Sequence, residues 1–167
     1  VVRRLAPVPL DAVFSSPLGR ALSTATPVAE THGMGVRPLH GLSDIDYGEF
    51  QGLSLDEARQ RFPDVYRAWQ ERPQDVRFPG GEGLAEVRER LLETVDDVAR
   101  HYPGGHVAMV SHRVVCQVAL CAALGLDNSH FWQVVPDVAS LQVLEHREEG
   151  LRLRLFNDTC HLRAPEG

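Results

Sequence analysis

The sequence predicts an α/β fold, a mixed and mostly parallel sheet flanked by helices, and three observations predict it. Residues 10–15 (LDAVFS) and 107–110 (VAMV) are short apolar runs of strand length, each ending in a polar turn that passes at once into a helical pattern. Between and beyond them lie stretches whose apolar residues recur three or four apart. Near the C-terminus, residues 139–145 (ASLQVLE) and 151–155 (LRLRL) alternate apolar and polar about a charged turn at 146–150, an antiparallel hairpin with one wet face. Strands separated by helices, with a hairpin added, make a mixed α/β sheet.

The elements follow in order. Residues 1–6 read as the tail of a helix, stopped by Pro7-Val8-Pro9. After the buried strand at 10–15, Pro17 stands in a helix's first turn, where its missing N–H costs nothing. Ala21, Leu22, Ala25, Val28 and Ala29 carry that helix to Thr31, and Pro27 inside it is expected to kink it or end it early. A second short strand is expected at 37–39. Residues 41–52 (GLSDIDYGEFQG) form a loop rich in glycine and carboxylates. Ser54 with Glu57 three residues on is a capping box, opening one or two short helices over 55–71 that Pro63 breaks. Residues 79–83 (PGGEG) are a loop, placed as a lid that borders the pocket. Leu84, Val87, Leu91, Val95 and Val98 then mark a long helix whose apolar stripe is core, closed by Pro103-Gly104-Gly105. The run 107–110 is expected to be fully buried, and a helix over 113–124 stops at Gly125. No repeat or long linker divides the chain, so residues 1–167 are read as a single domain.

Composition narrows the function classes. The net charge is −6 and no Lys/Arg-rich run occurs, which argues against nucleic acid or a membrane surface as partner. Cys116, Cys121 and Cys160 are odd in number and stand in apolar or strand-like surroundings, the pattern of reduced thiols in a cytoplasmic protein. None heads a Cys-x5-Arg loop, because Ala122 and Asp127 stand where the arginine would be, so a cysteine-nucleophile phosphatase is disfavoured. No Cys-x2-Cys pair occurs, and neither metal nor cofactor is expected.

Two strand-to-helix edges hold the candidate chemistry. Ser111-His112 ends one buried run, where open α/β sheets place ligands. The sequence Ser15-Ser16-Pro17-Leu18-Gly19-Arg20-Ala21 repeats that grammar, with Arg20 in the first turn of its helix. A guanidinium there can reach back over the strand end and clamp a phosphate with two hydrogen bonds. Taken singly, His112 reads as a turn histidine and Arg20 as a solvated helix residue; together they converge on an anion.

The stretches SSPLGRALSTA, LSDIDYGEFQGLS, PGGEG and VSHRVV, in that order and spacing, resemble the histidine phosphatase superfamily, the phosphoglycerate-mutase-like proteins. The tail NDTCHL at 157–162 resembles its single-domain phosphatase branch. The resemblance implies transfer of a phosphoryl group to a histidine, followed by its hydrolysis. It implies that Arg20 clamps phosphate, that His112 binds the transferring group, and that the acid protonating the leaving oxygen lies in the loop after Leu42. Asp44 aligns where the family has Glu, and is one C–C bond (about 1.5 Å) shorter in reach; Glu49 stands as the alternative. Arg113 follows His112 where the family often has Gly, and faces either pocket or solvent. The family's nucleophile lies in an N-terminal Arg-His-Gly, and no such triplet occurs in residues 1–167. The resemblance therefore implies a first strand and nucleophile upstream of Val1; Thr31-His32-Gly33 comes nearest to the triplet but ends a helix rather than a strand.

The expected activity is a metal-independent phosphomonoesterase acting on a small phosphorylated metabolite. A phosphoglycerate-mutase-type transferase or an inactive phosphate-binding module remain the alternatives. A magnesium phosphatase built on Asp44-Ile45-Asp46 lacks the buried strand that should precede such a pair. Asp46 and Asp56 read as turn or solvent carboxylates, and His101, His130, His161 and Trp132 as structural. The hairpin's edge offers a route to a homodimer.

Overall fold

The computed structural model describes residues 1–162. Three strands, β1 (Ala12–Ser15), β2 (Val36–Pro38) and β3 (Val107–Val110), form a parallel sheet in the order β2-β1-β3. The central strand β1 is buried on both faces. Ala12 and Phe14 pack with the apolar stripe of α5 (Leu84–His101) and with Val114, Val115 and Val118 of α6 (Arg113–Ala123). Val13 faces the other way, onto Ala25, Val28 and Ala29 of α2 (Gly19–Thr31), which α1 (Val2–Leu5) covers in turn. Burial on both faces is what a continuous apolar run in a parallel sheet requires.

Strand β3 is half-buried rather than fully buried, because it pairs only with β1 and forms the edge of the parallel sheet. The hairpin of β4 (Leu141–Arg147) and β5 (Gly150–Asp158) is present with its alternating exposure, as a two-stranded sheet of its own. Leu144 and Leu153 pack against Leu120 and Cys121 of α6. Pro27 does not end α2, which runs on to Thr31. Both Pro27 and Ser23, whose carbonyl loses its helical partner to the proline, lie on the solvent side, so water replaces the missing N–H.

The segment between β2 and β3 positions the site. Ser54 and Glu57 form the capping box that opens α3 (Leu55–Arg61), and Pro63 starts α4 (Pro63–Glu71). Trp69 of α4 stacks edge-on against Phe78, Tyr47 and Trp132, an aromatic cluster that holds residues 44–50 against the body. The loop 79–83 is a brace rather than a lid. Glu49 N–H donates to the Pro79 carbonyl and Glu82 N–H to the Asp46 carbonyl, at 2.9 and 2.8 Å. Gly48 and Gly81 stand where these two backbones touch; a Cβ at either would come closer than 3.0 Å to carbonyl oxygens of the opposite segment. Gly48 also has φ +50°, which a side chain disfavours. Among the described residues no helix is long and apolar enough to cross a membrane.

Candidate active site

The parallel register brings three loops to one end of the sheet. Ser15 is level with Val110 and with Pro38, and the ladder continues through Ser16 N–H to the Val110 carbonyl and Leu39 N–H to the Ser15 carbonyl. The chain leaving β1 therefore delivers Arg20, the chain leaving β2 delivers Asp44, and the chain leaving β3 delivers His112, all at the carboxyl ends of the strands. The side chains meet there. Arg20 Nη2 lies 2.7 Å from Asp44 Oδ2, Arg20 Nε lies 3.2 Å from His112 Nδ1, and Asp44 Oδ2 lies 3.5 Å from the same Nδ1.

His112 is only 8% exposed and its environment defines its protonation. An arginine Nε–H can only donate, so Nδ1 accepts from Arg20 and the ring proton sits on Nε2, which donates to the buried Ser16 Oγ at 2.8 Å. The ring is thus neutral at rest. Burial holds its pKa below 6.5, Asp44 opposes this, and the charges of Arg20 and Arg90 assist it. An imidazole whose Nδ1 faces a guanidinium is ready for an anion once that nitrogen is protonated: a phosphoryl oxygen arriving between them then accepts a hydrogen bond from both. The Asp44 carboxylate already occupies an anion's place beside Arg20, so its Asp-length side chain has ample reach. An entering phosphate must displace it or find it protonated.

Arg90, on α5, sets the position of Asp44. Its guanidinium donates to the Gly41 and Asp44 carbonyls at 2.8 and 3.1 Å and to both carboxylate oxygens of Glu82, while Glu82 also accepts from Asp46 N–H. Burial pushes the Glu82 carboxyl up, but the hydrogen bonds and charge of Arg90, with the Asp46 amide, hold it below the usual range. Replacing Arg90 by Met is expected to lower kcat by about 10- to 100-fold through misplacement of the acid. Measured melting should fall as well, because Glu82 and two carbonyls lose their donor; R90K should restore little, since one ammonium cannot span all three acceptors.

The other candidates fall elsewhere. Glu49 is exposed and does not reach Arg20 or His112. Asp46 accepts from Gly48 N–H and Gln51 Nε2, a turn carboxylate that does not converge with Asp44. His32 caps the C-terminal end of α2, about 18 Å along the helix axis from Arg20 at its start. His161 Nε2 bonds the Ala139 carbonyl, a structural role. His101, His106 and His112 are separated by four and five residues, a spacing that metal-binding pairs also use. They do not gather; among the described residues no three His, Cys, Asp or Glu side chains are grouped to hold a metal. The Cys116 thiol is pushed up to about 11, by burial first and Asp44 second, so it stays protonated and is no nucleophile.

Sequence reasoning missed Ser16 and Arg90. A second serine directly after a buried strand was the available signal for Ser16; an arginine among helix-surface residues such as Glu89 and Glu93 left none for Arg90. Arg113 lines a recess that begins at Asp44, with Tyr47, Trp69, Gln117 and Trp132. It is also exposed, so it borders the recess and meets solvent at once.

The family model of the histidine phosphatase superfamily (branch 1) matches residues 1–159. Phosphoserine phosphatase 1 of Hydrogenobacter thermophilus is 36% identical over 153 residues, covering 92% of this chain and 72% of the relative. Among solved structures, Bacillus stearothermophilus YhfR superposes with a TM-score of 0.91 at 26% identity, covering 96% of this chain and 80% of the other. A mycobacterial glucosyl-3-phosphoglycerate phosphatase, Rv2419c, in complex with inorganic phosphate, gives 0.81 at 26% identity, covering 94% and 80%. With its strand-end loops converging at one end of the sheet and a family match along nearly its whole length, the chain belongs to branch 1 of the histidine phosphatase superfamily.

Proposed function

We propose that the protein is a metal-independent phosphomonoester hydrolase acting on a small phosphorylated metabolite through a phosphohistidine. The observation that carries this reading is the meeting of Arg20, His112 and Asp44 at one strand-end position, each delivered by a different loop. The phosphatase names of its relatives support hydrolysis over mutase transfer.

In this reading Arg20 turns from Asp44 to two phosphoryl oxygens, and His112, protonated at Nδ1, donates to a third. Asp44 enters as the neutral acid. A histidine attacks phosphorus, a P–N bond forms, the ester P–O bond breaks, and the Asp44 proton goes to the leaving oxygen. Water then attacks, giving its proton to Asp44 as the P–N bond breaks. Such transfer asks little of the protein beyond alignment and positive donors around the equatorial oxygens. No Arg-His-Gly occurs in residues 1–167, so the reading places the attacking histidine outside them. It keeps residues 1–167 as one domain, the cysteines as cytoplasmic thiols, and the hairpin edge as the route to any homodimer.

The test is an alkaline denaturing quench of the intact protein during turnover of a labelled phosphomonoester, with and without a metal chelator. An acid-labile, base-stable phosphohistidine formed in both samples supports the reading. Ester binding that depends on Arg20 but gives no turnover would make the protein a phosphate-binding module. Turnover abolished by chelator would overturn the metal-independent mechanism.

A further inference from the structure

Arg113 follows His112 directly and borders a recess of about 190 Å³ that starts at Asp44 and runs between Tyr47, Trp69, Gln117 and Trp132. The position of this recess has a chemical meaning within the phosphatase reading, on which the inference rests. An acid must stand beside the oxygen it protonates, so the leaving alcohol lies on the Asp44 side of the phosphoryl group. The recess on that side is where the alcohol goes.

Its lining is preorganised. Trp132 Nε1 donates to the Trp69 carbonyl at 2.8 Å and the two indoles pack edge to face, while Gln117, 1% exposed, gives its Nε2 to the Phe131 carbonyl. The cations nearby differ in commitment. Arg20 is engaged with His112 and Asp44, and Arg90 with Glu82 and two carbonyls. Arg113, at the exposed rim of the recess, has neither an ion pair nor a side-chain hydrogen bond among the described residues. Its charge is nonetheless felt inside: burial, then Asp44, push the Tyr47 hydroxyl up to about 12, and Arg113 opposes them. Tyr47 therefore keeps its proton and can donate it.

We propose that Arg113 is a specificity-determining residue that selects phosphomonoesters whose leaving alcohol carries a second anionic group. A guanidinium with aromatic neighbours binds a planar carboxylate or a phosphate equally well through its paired donors. The recess, about 190 Å³ and open to solvent on one side, has room for a short-chain acid or a phosphate beside Arg113. Asp44 does not repel that anion in the reactive state, because the acid is neutral then.

The experiment is calorimetric binding of four probes to the intact protein: inorganic phosphate, glycerol 3-phosphate, 3-phosphoglycerate and glycerol 1,3-bisphosphate. The expected result is that one or both doubly anionic esters bind at least about tenfold tighter than glycerol 3-phosphate, the return of one charge-assisted contact. R113Q should bring that ratio close to one, and R113K should keep part of it. Preference for 3-phosphoglycerate alone identifies a carboxylate site, and preference for the bisphosphate alone a second phosphate site. A ratio that survives R113Q, or is absent from the wild type while inorganic phosphate binds, overturns the role of Arg113 and leaves the phosphatase reading standing. If inorganic phosphate does not bind, or binds R20M as well as wild type, the phosphatase reading itself fails and this inference falls with it.

Discussion

Replacing His112 by alanine is expected to lower kcat/KM by about 10²- to 10³-fold, the cost of one preorganised donor to a developing charge. The pH behaviour should make this loss specific to the imidazole. In the free protein the ring is neutral, with its pKa held below 6.5, so between its folded value and 6.5 the unfolded chain binds more protons than the folded one. This contribution to stability is present above 6.5 and lost as pH falls through that window. Anion binding reverses the preference, because a phosphate dianion against Nδ1 favours the imidazolium. Wild-type protein should therefore take up a proton on binding phosphate near neutral pH, and bind more tightly as pH falls toward 6.5. Calorimetry in buffers of different ionisation enthalpy reads that proton. H112A should lose the His112 share of the uptake, leaving only what Asp44 takes up, and should lose the acid-side slope in stability; uptake equal to wild type would move the titrating group elsewhere.

Replacing Gly48 by alanine should cost about 2–5 kcal/mol, adding a left-handed backbone penalty of about 1–2 kcal/mol to overpacking of about 1–3 kcal/mol. At about 2–4 °C per kcal/mol for a chain of this size, the melting temperature should drop by roughly 4–20 °C. Two controls divide the effect. Gly52 has φ +79° with open space where a Cβ would stand, so G52A reports backbone strain alone. Gly81 meets the Asp46 carbonyl without a positive φ, so G81A reports the clash alone. Both clashing variants push residues 44–48 away from the brace, so kcat should fall in G48A and G81A and hold in G52A. Equal activity in all three would show that the brace does not set the acid's position.

The features legible in the sequence were those written in neighbouring residues. The run LDAVFS, the pair Ser54 and Glu57, and the break at Pro63 each fix local backbone by sterics or a local hydrogen bond; the last two appear as read, and the strand is shorter, Ala12–Ser15. Arg20 and His112 were legible because each sits at a fixed offset from the end of a buried strand, and parallel pairing does the rest. Asp44 was harder to choose over Glu49, since both lie in one irregular loop. The choice is made by Arg90, 46 residues further on, through a backbone carbonyl that no side-chain pattern advertises. The half-burial of β3 was illegible for a related reason: VAMV is equally apolar at a sheet's centre or its edge, and only strand order distinguishes them. Pro27 misled because its cost depends on which face of the helix it occupies. Trp132, read as structural, packs edge to face on the core residue Trp69, yet both also wall the recess.

That double role has an optical consequence. The chain contains two tryptophans, Trp69 and Trp132, and both line the same recess with ring centroids 5.5 Å apart. At that separation the indoles share excitation, so the tryptophan emission of residues 1–167 comes from one coupled pair beside Asp44 and Arg113. Any molecule that enters the recess changes the polarity and quenching felt by that pair. The protein carries a built-in fluorophore for occupancy of its own leaving-group pocket, readable without label or coupled assay.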